Sequence, residues 1–297
     1  MRAQNKNIFQ LIFIFIFTVA LFISSCKNKK TDVSNSKEAI AIKIPQGMIW
    51  VEGKTFLQGA KDSDKYAMPR EKPAHKVTVD GFYIDITEVT NKQFKKFIDA
   101  TKYITVAERK IDWEEMKTQL PANTSKPHDS ILEDAVAYCK WAHRRLPTEA
   151  EWEAAAQGTN SDAIFTWGNN PAILDSNANT WQGVFPTRNE SKDGFEFISP
   201  VKSYPANSIG LYDMAGNVWE ITSDLFNVDY YNELDISKPI LNPKGASKSY
   251  SKSNPYQTEH VMKGGSFLCH DSYCASFRIS AKMGVAIDSG SDHVGFR

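Results

Sequence analysis

From Phe165 onward the chain nearly abandons periodicity. Gly, Asn, Pro, Ser and Trp dominate, and neither the alternation of a half-buried strand nor the rhythm of an amphipathic helix persists. Such a stretch cannot rest on backbone ladders alone and needs an organiser. The seven tryptophans of the chain can supply packing, and carboxylates and amides set in tight loops hint at bound cations. No internal repeat is visible. The expectation from this half is a loop-rich structure.

The regular elements come before that point. Ile44 to Leu57 (IPQGMIWVEGKTFL) alternates apolar and polar residues around two glycines, the pattern of a hairpin. VTVDGFYID, Val77 to Asp85, reads as two short strands with Asp80-Gly81 as the turn between them. Thr90 introduces NKQFKKFIDAT, a short helix with Phe94, Phe97 and Ile98 on one face. A second helix spans EDAVAYCKWAHRR, Glu133 to Arg145, with Ala135, Val136, Cys139 and Ala142 on one side, until Leu146-Pro147 breaks it. Cys139 there reads as a packed small hydrophobe. Thr148 and Glu151 form a capping box that starts a third helix, burying Trp152 and Ala155.

The N-terminus bears on compartment. Arg2 and Lys6 precede an apolar run from Ile8 to Ile23, the length of a signal core and short for a spanning helix. It closes on Ile23-Ser24-Ser25-Cys26, which resembles the lipobox of bacterial lipoproteins, with Cys26 the lipidated first residue. Residues 1–25 are expected to be a lipoprotein signal peptide, 26–43 a polar tether and 44–297 one domain. The protein is then exported and lipid-anchored to a bacterial membrane, facing the periplasm or cell envelope. Thirty-five basic and 35 acidic residues cancel, which leaves no electrostatic case for nucleic acid. Besides Cys26 only Cys139, Cys269 and Cys274 remain, too few for a disulfide scaffold.

Two kinds of motif carry chemistry. KGGSFLCHDSYC, Lys263 to Cys274, places two thiols five residues apart. By residue type alone a local disulfide and a metal site are equal readings, and zinc is disfavoured because only His270 stands nearby as a further ligand. WQGVFPTRNESKDGF, Trp181 to Phe195, and GLYDMAGNVWE, Gly210 to Glu220, set carboxylate and amide oxygens beside exposed carbonyls. Neither matches an EF-hand, so by spacing alone plain turns are favoured over calcium.

The order of motifs is more specific than any one of them. MIWVEGKTFLQGA, DITEVTNKQFKKFI, AYCKWAHRRLPTEAEWE, ANTWQGVFP, GLYDMAGNVWE, KGGSFLCHDSYC and HVGFR follow one another between Ile44 and Arg297. This series resembles the formylglycine-generating enzymes, the sulfatase-modifying factors, and so implies their α+β fold, which has unusually little regular secondary structure and is related to the C-type lectins. The resemblance implies a copper-dependent oxidase that uses O2 to convert the cysteine of an unfolded Cys-x-Pro-x-Arg segment in a sulfatase to formylglycine. It assigns Cu(I) to Cys269 and Cys274, as suits soft thiolates. It puts Ser266, His270, Tyr273, Arg278 and His293 around them. It also implies two structural calcium ions, one on Asn179, Thr180, Asp193 and Phe195, the other on Asp213, Gly216, Val218 and Glu220.

Two departures stand against the family pattern. Relatives usually insert a tryptophan-rich tract after DSIL that walls the substrate cleft, whereas here Leu132 abuts Glu133. Relatives also often follow GFR with a cysteine that pairs with the one in AYC, which leaves Cys139 without an evident partner. The alternative reading is therefore a non-catalytic, membrane-anchored binding or structural lipoprotein of the same fold, of the kind found in gliding and secretion machineries. Such members generally lack the cysteine pair. A third class, the iron-dependent sulfoxide synthases, needs an HX3HXE triad that the six histidines do not form.

Overall fold

The first four strands make one long bent ribbon, not a hairpin followed by two short strands. In the computed structural model β1 (Met48–Val51) pairs with β4 (Phe82–Asp85), and β2 (Lys54–Gln58) pairs with β3 (His75–Val79). One antiparallel register runs through both pairings, Met48 opposite Asp85 and Gln58 opposite His75. The glycines expected to make turns instead sit across from each other at the bend. A Cβ on Gly53 would lie 2.8 Å from the Gly81 nitrogen, and one on Gly81 would lie 2.1 Å from the Trp50 indole. The turn reading failed because glycine marks close approach as readily as reversal.

The structure describes residues 44–109, 131–273, 275–287 and 290–297. The signal-like segment, Cys26, the tether, the tract ending just before Ile131, and Cys274 lie outside the described residues. Among the described residues no helix is long and apolar enough to cross a membrane.

Helix α1 (Asn91–Thr101) starts at Thr90, whose hydroxyl accepts from Gln93 N while the Gln93 side chain accepts from Thr90 N. Helix α2 (Ile131–Trp141) ends four residues before its expected stop. His143 takes a left-handed φ of 55°, and Arg144 N turns back to the Cys139 carbonyl at 2.7 Å. That ending frees Arg144 to pair with Asp85 and Arg145 to pair with Glu151. Helix α3 (Glu149–Gln157) has the capping box its sequence predicts, Glu151 N to Thr148 Oγ1 at 3.1 Å and Thr148 N to Glu151 Oε2 at 2.9 Å. Its surroundings differ from expectation. Every residue of α3 is buried, Glu149, Glu153 and Gln157 included.

Two cores result. The ribbon packs Val51, Phe56, Val77, Val79 and Ile84 around Trp152 and the alanines of α3. The other core joins α1 and α2 to a curled sheet of β10 (Met283–Ala286), β9 (Glu259–Lys263), β7 (Trp219–Leu225) and β11 (Val294–Gly295). Strands are short elsewhere: β5 (Gly183–Val184) pairs with β6 (Arg188–Asn189), and β8 (Ile240–Leu241) joins β3 in parallel. Apart from β7, β9, β10, the two-residue strands and short 3-10 turns, the described residues after α3 are loop and turn, as the composition implied.

A buried thiol turn and oxygen-rich loops

Strand β9 ends at Lys263, and Gly264 and Gly265 take φ values of 87° and 72°. A Cβ on Gly265 would lie 2.9 Å from Phe277 N, so the chain can fold back here only as glycine. The next residues form a tight turn. Cys269 N donates to Ser266 O at 2.9 Å, and Ser266 N donates to Cys269 Sγ at 3.3 Å. Both Ser266 and Cys269 are buried. Past the turn, Tyr273 N and Ala275 N both donate to the His270 carbonyl at 3.1 Å.

The WQGVFP loop covers this turn. Trp181 N donates to the Cys269 carbonyl at 3.0 Å. The Phe185 ring stacks on Tyr273 at 5.2 Å and on His270 at 6.3 Å, and Trp181 meets Phe185 edge-on at 5.6 Å. Tyr273 stays 70 % exposed, so one face of this aromatic cluster is open to a ligand. His270 Nδ1 lies 2.7 Å from Ser272 Oγ and 3.2 Å from Ser272 N. Sequence reasoning omitted Trp181 and Phe185. Their aromatic type and their motif were visible, but their distance along the chain from Cys269 hid the contact.

The remaining predicted site residues divide. His293 lies beside the turn, its ring edge-on to Phe267 at 6.4 Å and its Nδ1 2.6 Å from Ser291 Oγ. Arg278 is not a pocket residue. It is fully buried, with Nη1 at 2.6 Å from Asp64 and 2.8 Å from Glu71, and its Nε donates to the Ala275 carbonyl at 2.9 Å. Its guanidinium braces the segment that returns from the thiol turn. Because two carboxylates enclose it, it presents nothing to a substrate.

The two oxygen-rich loops meet directly. Asn217 N donates to the Asn179 carbonyl at 2.9 Å, and a Cβ on Gly216 would lie 2.1 Å from that same oxygen. In the first loop, Asp193 Oδ2 accepts from Thr180 N and Gln182 Nε2, both at 2.8 Å, and Oδ1 accepts from Phe195 N at 3.0 Å. Asn179 Oδ1 is buried without a hydrogen-bond partner. In the second, Asp213 has a left-handed φ of 57°, its Oδ2 accepts from Lys202 N, and its Oδ1 is also buried and unpartnered.

Glu220, expected as a calcium ligand, lies close enough to Asp213 for its charge to act there and is also paired within the chain. Its carboxylate takes both arms of Arg297, at 2.6 and 2.5 Å, and the Trp152 indole at 2.8 Å. Beside it lies Glu88, which sequence reasoning missed, accepting from Asn217 Nδ2 at 2.8 Å. Burial pushes the Glu88 carboxyl well above the ordinary carboxylate value, and the charges of Glu220 and Asp213 push it further. Burial likewise raises Asp213. Two orphaned buried oxygens and an excess of carboxylate fit a hard cation. Among the described residues no three His, Cys, Asp or Glu side chains converge on one point. A cation here would therefore rest on single carboxylates, amide oxygens and backbone carbonyls.

Comparison with known proteins agrees with these motifs. The family model "Sulfatase-modifying factor enzyme 1-like domain" matches residues 34–297. The formylglycine-generating enzyme of Mus musculus is 37 % identical over 288 residues, covering 84 % of this chain and 74 % of its own. That of Thermomonospora curvata is 34 % identical over 291 residues, covering 86 % of this chain and 93 % of its own. A Mus musculus protein named inactive C-alpha-formylglycine-generating enzyme 2 is 33 % identical, with 84 % of each chain covered. Among solved structures, PvdO from Pseudomonas aeruginosa superposes with a TM-score of 0.61 at 22 % identity, covering 84 % of this chain and 92 % of that one, a likeness of fold. From its motifs, its loop-built α+β fold and these relatives, the chain belongs to the sulfatase-modifying factor family, which includes the formylglycine-generating enzymes.

Proposed function

We propose that this chain is an exported oxidase that converts the cysteine of a Cys-x-Pro-x-Arg segment in a sulfatase polypeptide to formylglycine, with O2 as oxidant. The observation that carries the reading is the buried Cys269 thiol, held in a turn by Ser266 and covered by an aromatic cluster with one open face. Cys269 and Cys274 would hold Cu(I), for which paired thiolates are the fitting soft donors. Cys269 Sγ already accepts a backbone N–H, a bond that a thiolate makes more strongly than a thiol. Bound there, copper would supply the redox chemistry with oxygen.

The chain's own residues do the rest. Trp181 and Phe185 keep water from the turn. Phe185 and Tyr273 offer ring faces to an extended peptide, and the Tyr273 hydroxyl and His270 Nε2 supply polar groups at its edge. Calcium at Asn179 and Asp213 would stabilise the loops that carry Trp181 and Val218. Cys26 would be the lipid anchor, with the domain facing the periplasm or cell envelope.

Loaded with copper in air, the protein is expected to convert a Cys-x-Pro-x-Arg peptide to an aldehyde captured by hydrazide. Cys269→Ser and Cys274→Ser are each expected to lose both copper and product. The existence of an inactive relative and the direct Leu132–Glu133 junction favour a second reading, a non-catalytic lipoprotein. Copper uptake with no aldehyde from any such peptide would decide for it. The anchor is tested separately: Cys26→Ser should move the protein from the detergent to the aqueous phase, and unchanged partitioning excludes lipidation.

A further inference from the structure

Helix α2 presents Leu132, Val136 and Cys139 to a cavity of about 350 Å³ that Leu146 closes from the loop before α3. These residues recur at helical spacing, so one stripe of α2 faces the space. The Cys139 thiol is pushed up to about 12 by burial, so it is a neutral, apolar part of this wall. The charge around it comes from lysines, since burial lowers the pKa of His260 and favours its neutral ring. Lys140, Lys244 and His260 line the cavity, and no Asp or Glu does so among the described residues. Arg144 and Arg145 also reach it, but Asp85 and Glu151 neutralise them. Lys140 and Lys244 are exposed and form no ion pair among the described residues.

From this we infer that the cavity binds a single-chain anionic amphiphile, a medium-chain fatty carboxylate, with its chain along Leu132, Val136 and Leu146 and its head at the two lysines. Three features select this occupant. The α2 stripe is apolar, and the polar lining groups Thr148 and Ser223 are already hydrogen-bonded to Glu151 N and Asp224, which leaves a sugar or nucleotide little to bond. The unpaired lysines complement one negative charge. The volume sits at the low end of small-molecule sites, about 300–1,000 Å³, which suits one acyl chain and excludes a two-chain lipid. The inference does not depend on the thiol turn or its chemistry.

The test is calorimetric titration of the full chain with dodecanoate below its micellar concentration. One saturable site is expected, with dodecan-1-ol at least tenfold weaker and acetate silent. Val136→Trp should fill the cavity and abolish binding at an unchanged unliganded melting temperature. The surface double variant Lys140→Glu/Lys244→Glu should weaken dodecanoate at least tenfold and leave dodecan-1-ol unchanged. The inference is overturned if dodecan-1-ol binds as tightly as dodecanoate, or if the lysine variant binds dodecanoate normally. It is equally overturned if no saturable binding occurs, or if a short Leu-Leu peptide with a free carboxylate binds more tightly than the fatty acid.

Discussion

Beneath α3, Glu149 and Glu153 face two buried lysines, Lys263 and Lys282, whereas at the loop junction Glu88, Asp213 and Glu220 share the buried guanidinium of Arg297. In the first cluster Lys263 Nζ lies 2.7 Å from Glu153 and 3.7 Å from Glu149, and Lys282 Nζ lies 3.2 Å from Glu149. Burial opposes the Glu149 charge, but Lys282 and Lys263 outweigh it and hold that carboxyl below its ordinary value. Glu153, with one lysine, is raised by burial in spite of Lys263. The α3 cluster is completed by its own side chains. The loop cluster is not, since Asp213 Oδ1 is orphaned and Glu88 strongly disfavours its charge. The two clusters therefore differ in how far partners within the chain satisfy their buried carboxylates.

The sharpest way to break the contrast is Lys263→Met. It strips Glu153 of its cation in a fully buried place, and losing one member of such a pair costs about 3–5 kcal/mol. Denaturant unfolding should show a loss of that size, and a loss below about 1 kcal/mol would mean the cluster does not depend on this lysine.

Asp224 supplies a second test at the edge of the α3 cluster. Its Oδ2 accepts from Glu149 N at 3.1 Å, and burial followed by the Glu149 charge raises it from 3.8 to about 7. A raised carboxyl favours folding least when ionised. Its contribution is therefore intact below pH 4, falls as pH rises through the interval to about 7, and is fully lost above, by up to about 4 kcal/mol. Asp224→Asn should flatten that slope in a pH series of melting curves. An unchanged slope would show that the carboxyl ionises freely.

The smallest effect belongs to the loop cluster. Calcium at a hundredfold excess over its Kd should stabilise the fold by about 2.7 kcal/mol. Chelation should reverse this, and Asp213→Asn should remove the response while leaving that of Lys263→Met unaltered. A melting temperature indifferent to calcium and chelator would mean the loop cluster is completed by protons.

Much of the site was legible from neighbours in sequence. The capping boxes at Thr90 and Thr148 form because each threonine finds its partner three residues on, a condition spacing alone decides. The loop texture after Phe165 and the thiol pair in KGGSFLCHDSYC were equally plain. Long-range choices were not. The amino-acid order could not show that Glu52-Gly53 and Asp80-Gly81 bend one ribbon together. It could not show that Arg297 closes on Glu220, 77 positions away, or that Arg278 closes on Glu71, 207 away. Nor could it bring Phe185 over Tyr273. In each case local pattern leaves the same side chain several partners of equal chemistry, and which surfaces pack together decides among them. Sequence determined the helix starts at Thr90 and Thr148, the loop-built character and the chemical types at the site. Tertiary packing alone decided which buried charges find a partner within the chain and which buried oxygens do not.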